Sequence, residues 1–257
     1  MQILMIGDVV GQGGCAFVRQ CMPALRRLYS PDLVIANGEN SAEGNGILPS
    51  SADHLLDSGV DIITLGNHGL RRREIYSVLE ESDQVIRPAN FHPEAPGSGV
   101  CVFDRPGMPR VAVINLNGTC YMDTAYENPF DCADRLLKKI DAKVIVVDFH
   151  AEATSEKLCM GFYLDGRVSA VVGTHTHIQT ADERILPGGT GYITDMGMCG
   201  SFHSVLGVRP ELAIKRFRTN LPTRFENDPG PCRLSGVLLE VDPKTGKTIQ
   251  IQRINLE

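Results

Sequence analysis

At five places a carboxylate, an amide or an imidazole follows directly on an apolar run. Asp8 follows Ile3–Ile6, and Asn37-Gly38-Glu39-Asn40 follows Leu33–Ala36. Gly66-Asn67-His68 follows Ile62–Leu65, and Asp148-Phe149-His150 follows Val144–Val147. Gly173-Thr174-His175-Thr176-His177 follows Val168–Val172. Side chains of this kind are costly to bury without partners, so their recurrence at the ends of strand-length runs asks for a common partner. Asp8, Glu39, Asn67, His150, His175 and His177 supply two carboxylates, one amide and three imidazoles, a donor set for two metal ions. Hard oxygens mixed with imidazole favour iron, manganese or zinc over calcium or copper(I). A carboxylate can bridge two ions, and Glu39 is the natural candidate. His175 and His177 share a face if their segment is extended and reach different ions if it turns.

Other readings of the same residues compete. Asp8 suits a helix N-cap near Gly13, although it lies several residues early. Asn67-His68 suits a turn. Gly11, Gly13 and Ala16 in IGDVVGQGGCAF fit the G-x-G-x-x-[G/A] dinucleotide fingerprint. Glu39 then falls where a ribose-binding carboxylate belongs, which gives a nucleotide-binding oxidoreductase as a rival. Against it, Asp8 would face a pyrophosphate with like charge, and three histidines would be left without a role. His54 reads as a solvated helix residue, His92 as an exposed or structural loop residue, and His203 as structural or a substrate contact. Arg71-Arg72-Arg73 reads as a solvated face or as a phosphate-holding group beside His68.

The elements that must carry these residues follow from the apolar runs. The runs, with Val111–Leu116, are β-branched and continuous rather than alternating, as strands buried on both faces of a mostly parallel sheet are. Phe17, Val18, Cys21, Met22, Leu25 and Leu28 share one helical face. Helices are also expected from Pro49 through Leu56, from Glu74 to Glu81 and from Phe130 to Ile140. Alternation of strand and helix means an α/β fold. Leu234–Val241 and Thr248–Ile254 around Asp242–Gly246 read as a hairpin, and residues 86–110 and 219–233 as loops. One domain over residues 1–257 is expected, with a small insertion around 88–130.

The 257 residues are 42% hydrophobic and 22% charged, with net charge -6. That balance gives no electrostatic footprint for duplex nucleic acid or an anionic membrane surface. The eight cysteines form no CxxC pair, and no run nears the ~18 apolar residues of a membrane span. The N-terminus lacks the basic lead of a secretory signal. A cytoplasmic protein with reduced, mostly buried thiols is expected.

The order D…EN…GNH…H…GTHTH resembles the calcineurin-like metallophosphoesterases, and more closely their YmdB-like bacterial branch. IGDVVG, ANGENSAEGNGI, TLGNHG, RPANF, FHAEATSEK, GTHTHIQTADE and ITDMGM carry the resemblance in order, from residue 3 to about residue 200. It implies a four-layer α/β/β/α fold and a dinuclear centre, iron by preference, with manganese or zinc as alternatives. By position, Asp8, Glu39, Asn40 and His177 would serve one ion. Glu39, Asn67, His150 and His175 would serve the other, with Glu39 bridging. His68 would be the proton donor. Gly69, Leu70 and Arg71 depart from the aromatic and Asp that follow GNH in many relatives, and Phe202-His203 departs from an Asp-containing loop. Two ions ~3.5–4 Å apart lower the pKa of a shared water, which can attack phosphorus. Hydrolysis of phosphodiesters is therefore expected, with cyclic nucleotides as substrates by resemblance. A small phosphate ester is the expected partner, with a homo-oligomer allowed. A non-catalytic metal-binding regulator is the alternative, and mutation of His68 separates the two.

Overall fold

The computed structural model describes residues 1–43 and 45–257; Gly44, inside the stretch ANGENSAEGNGI, lies outside the described residues. In chain order the elements are β1 (Gln2–Ile6), β2 (Asp8–Val9), α1 (Gly11–Tyr29), β3 (Leu33–Asn37), α2 (Pro49–Asp57) and β4 (Ile62–Thr64). A 3-10 turn (Arg73–Ile75) leads into α3 (Tyr76–Glu81), β5 (Val85–Ile86), β6 (Val100–Phe103), β7 (Val111–Asn117) and α4 (Pro129–Leu137). Next come β8 (Val144–His150), α5 (Thr154–Tyr163), β9 (Ala170–Thr174), β10 (Arg184–Ile185), β11 (Gly191–Ile193) and β12 (Met198–Ser201). The last elements are α6 (Pro210–Thr219), β13 (Cys232–Val241) and β14 (Thr248–Leu256).

Among the described residues the strands form two sheets. One runs β2-β12-β13-β1-β3-β4-β5, with β14 on β13; the other runs β10-β11-β9-β8-β7-β6. The continuous apolar runs have a simple cause. Side chains alternate across a strand, and both faces of each sheet are covered. Ile3 and Met5 point into a core shared with Val111, Val113, Val144 and Val146 of the other sheet. Leu4 and Ile6 point the opposite way, onto α1 and α2 through Val18, Met22, Leu25 and Leu55. Ala112, Ile114, Ile145 and Val147 pack outward with Cys132, Ala133 and Met160 of α4 and α5. Helix, sheet, sheet, helix is the four-layer α/β/β/α architecture.

The sheets are more mixed than a mostly parallel reading allows. β1 pairs β3 in parallel but β13 antiparallel, and β6 and β10 are antiparallel edges. The expected hairpin is β13–β14. The stretch 86–110, expected as loop, contains β6. Residues 88–130 carry β6 and β7, two neighbouring strands of the second sheet. α5 and α6 carry no strong sequence signal: their exposed faces include Phe162, Ile214 and Phe217, which blurs the polar side of the helical period. The five buried cysteines are Cys15, Cys21, Cys101, Cys132 and Cys199, and all eight are free thiols. No helix among the described residues is long and apolar enough to cross a membrane.

Candidate metal centre

The polar residues meet where strand ends of both sheets face each other. Asp8 lies in β2, Glu39 and Asn40 just beyond β3, and Asn67 and His68 beyond β4. His150 closes β8, while His175 and His177 follow β9. β8 runs past its apolar portion to His150 because Asp148, Phe149 and His150 stay in register with β9 and β7. Asp8, Glu39 and His150 are fully buried.

His150 Nε2 is the focus of one half. It lies 3.1 Å from Glu39 Oε1, 3.0 Å from Asn67 Oδ1 and 3.1 Å from His175 Nδ1. One ring nitrogen has at most one proton to share, so three ligand atoms crowded on it are better served by a cation. Among the described residues, Glu39, His150 and His175 are the one group of three metal-binding types close enough to hold an ion. Gly66 is needed beside them: a Cβ there would collide with the His150 ring and the Glu39 carboxylate.

The other half lies alongside. Asp8 Oδ1 stands 3.6 Å from His177 Nε2, and Asn40 Nδ2 is 3.3 Å from that nitrogen and 3.1 Å from Glu39 Oε1. Asp8 Oδ1 is buried and has no hydrogen-bond partner. Such an orphaned carboxylate oxygen is costly, and a cation would satisfy it. Asp8 is no helix cap: its Oδ2 accepts the His175 N–H at 3.1 Å, and α1 starts without a side-chain cap. The glycine loop serves the same centre. Gly11, at φ 62°, donates its N–H to the Asn40 carbonyl at 2.8 Å.

His68 sits at the edge, its side chain 24% exposed. Its N–H binds Glu39 Oε2 at 2.8 Å, and its Nδ1 lies 2.9 Å from Asn40 Oδ1. Asn40 thus faces the cluster with its amide nitrogen and His68 with its oxygen.

The electrostatics are those of a desolvated pair. Burial pushes the Asp8 carboxyl up to about 6, against the pull of His177 and His150. Burial acts the same way on Glu39, but His150 and His68 outweigh it and hold that carboxyl at about 2. Burial opposes charge on His150, yet Glu39, Asp8 and Asp148 raise it to about 9. Burial and the His150 charge press His175 down to about 3.

Several supporting residues escaped the sequence reading. His150 Nδ1 meets Thr174 Oγ1 at 2.9 Å, and Thr174 donates to buried Asp148 at 2.6 Å, which fixes the ring. Asp195 Oδ2 accepts from Lys157 Nζ (2.7 Å), Thr176 N–H (3.0 Å) and Thr176 Oγ1 (2.7 Å), while Oδ1 takes the Gly197 N–H (2.8 Å). Both histidines flanking Thr176 have positive φ, 97° at His175 and 64° at His177. That turn sends their rings to different places. Asp148, Lys157, Thr174 and Asp195 all stand within or beside the quoted motif stretches. The Leu206 carbonyl, which meets His177 Nδ1 at 3.1 Å, has no sequence signal.

The remaining histidines lie outside the cluster. His54 is half-buried rather than solvated, its Nε2 3.2 Å from the Cys15 carbonyl. His92 packs on Tyr126 and His203 on Phe202. Arg71 and Arg73 are exposed, and Arg72 donates to the carbonyls of Glu43 and Asn45. Above the cluster opens a cavity of about 530 Å³, lined by Glu39, His68, His175 and His177 and, farther out, by Asn45, Leu206, Phe225 and Asn227.

Comparison with known proteins gives a consistent set. A family model described as "YmdB-like protein" matches residues 4–254. A Bacillus subtilis (strain 168) protein named 2',3'-cyclic-nucleotide 2'-phosphodiesterase is 47% identical over 256 residues, covering 99% of this chain and 96% of that one. A crystal structure of a hypothetical protein from Thermus thermophilus superposes with TM-score 0.94 at 41% identity, covering 100% and 99% of the two chains. A structure described as a novel phosphatase from Mycoplasma pneumoniae gives TM-score 0.93 at 36% identity, covering 100% and 93%.

Proposed function

The chain belongs to the YmdB-like family, and from that premise we propose that it hydrolyses phosphodiesters at a dinuclear metal centre, with 2',3'-cyclic nucleotides as substrates. It is a hydrolase of phosphoric esters, and a metal site suits the residues it has. Two observations carry the finer reading: the buried, unpartnered Asp8 Oδ1, 3.6 Å from His177 Nε2, and the His150 Nε2 crowded by three ligand atoms. Asp8, Glu39, His177 and Asn40, once its amide oxygen turns inward, would hold one ion. Glu39, Asn67, His150 and His175 would hold the other. Iron is preferred by resemblance, and the oxygen and imidazole donors equally suit manganese or zinc. Bound metal supplies Lewis-acid neutralisation of phosphate charge and an acidified water.

The chain's own residues do the rest. His68 Nδ1 faces the Asn40 side-chain amide, whichever end of that amide is turned to it, so Nε2 is the nitrogen left for substrate. It lines the cavity, which supports reading it as the group that gives a proton to the departing ester oxygen. Thr174 and Asp148 hold the His150 ring, and Asp195 holds the turn between His175 and His177. With a 2',3'-cyclic nucleotide, water adds to phosphorus, the P–O2' bond breaks, and O2' leaves as a hydroxyl carrying the donated proton.

The deciding experiment is metal content with turnover. Protein purified without chelator or oxygen should carry about two ions per chain and hydrolyse 2',3'-cyclic AMP. His68→Asn should keep the metal and lose turnover. A fully metallated protein that cleaves no ester would favour a regulatory role instead.

A further inference from the structure

The cavity above the cluster does not end at Phe225. A second cavity, of about 810 Å³, shares Phe225 and Asn227 with it and is lined beyond them by Glu43, Leu48, Arg72 and Arg224. The first cavity alone, at about 530 Å³, is ample for one nucleotide, since sites for small ligands span roughly 300–1,000 Å³. A cyclic mononucleotide leaves the larger space unused.

The lining of that space is specific. Phe225, 43% exposed, stands at the junction and offers an aromatic face. The Asn227 side-chain amide beside it makes no hydrogen bond among the described residues. Arg224 has no carboxylate partner among them, and Arg72 spends Nε and one terminal nitrogen on backbone carbonyls only. Of the two carboxylates nearby, Glu226 is engaged by Arg209 at 3.5 Å. The segment leading to Arg224 is basic in sequence: residues 209–224 carry five Arg or Lys to one Glu, in a chain of net charge -6, although Arg209 is paired with Glu211 and Glu226. The wall is anchored to the centre, because Val208 bridges to Asn227 and Leu206 meets His177. An aromatic platform followed by cations is how proteins bind single-stranded nucleic acid without reading duplex.

Resting on the hydrolase reading above, we infer that this second cavity is a subsite for substrate extending 5' of the cyclic phosphate. The substrate class is then a short single-stranded oligoribonucleotide ending in a 2',3'-cyclic phosphate, with a base on Phe225 and a phosphate led past Arg224 and Arg72. Such ends arise when an RNA strand is cut by attack of its own 2'-hydroxyl, so that class of reaction would supply the substrate. The product is the same strand ending in a 3'-phosphate.

The test compares kcat/KM on 2',3'-cyclic AMP, on a triribonucleotide ending in a 2',3'-cyclic phosphate, and on an aryl phosphodiester, using metallated protein. The trinucleotide should exceed the mononucleotide by about tenfold, and Arg224→Ala and Arg72→Ala, at residues that line only the second cavity, should bring that ratio towards one. A fluorescent trinucleotide 3'-phosphate should bind wild type more tightly than either variant, with binding that weakens as salt rises. If mononucleotide and aryl ester are cleaved but the trinucleotide gains nothing, the subsite is overturned and the hydrolase reading stands. A variant that alters both nucleotide substrates equally also overturns it. If none of the three is cleaved, the hydrolase reading falls and the subsite with it.

Discussion

At the scale of single residues, the centre is a set of charges that are stable only when shared. In the metal-free protein His150 is raised to about 9 and is therefore protonated at pH 7. Its Nε2 must be neutral to ligate, so metal loading should release protons and tighten as pH rises towards that value. Calorimetry at pH 7 in two buffers of different ionisation enthalpy reads the proton count; equal heats in both buffers would contradict the assignment of His150. His68 differs in kind. On the proposed mechanism its removal deletes the proton donor, which is worth about 10²–10⁴ in rate, and leaves every carboxylate in place. Asp8→Asn should do the converse and lower the metal content itself.

At the scale of elements, the turn after β9 does the positioning. Two non-glycine residues at positive φ, His175 and His177, are strained at about 1–3 kcal/mol each and persist only where surroundings fix them. The fixing group is Asp195, fully buried, with Lys157 only 1% exposed. Breaking such a pair from one side costs about 3–5 kcal/mol. Asp195→Asn or Lys157→Met should therefore lower the unfolding free energy in urea by about that amount and also lower metal retention, since Thr176 is released. The double variant Lys157→Met with Asp195→Leu should recover part of the stability but not the metal. Recovery of both would mean that the turn does not depend on Asp195.

At the scale of the whole molecule, metal held by the proposed ligands would join two sheets that otherwise meet through the Ile3, Met5, Val111 and Val144 core. Ions that bind only the folded state at a hundredfold excess over Kd add about 2.7 kcal/mol, and each kcal/mol is worth roughly 2–4 °C for a chain of this size. Metal removal by a chelator should therefore lower Tm by several degrees, and scanning calorimetry with and without the ion reads it directly. What the sequence alone determined is the alternation of buried strands with helices and the polar residues that follow five of the apolar runs. Both are local: a strand covered on two faces must be continuously apolar, and a polar residue following it stands out. The quoted motifs were equally legible. The tertiary structure alone decided that the strand ends belong to two facing sheets, that α5 and α6 are helices, and that Gly11 binds Asn40 rather than a phosphate. It also decided that Asp195 and Lys157 act from beneath the His175–His177 turn, and that the cavity continues past Phe225. Each of these depends on residues far apart in the chain meeting in space, and hydrophobic periodicity holds no information about which distant partner a side chain will find.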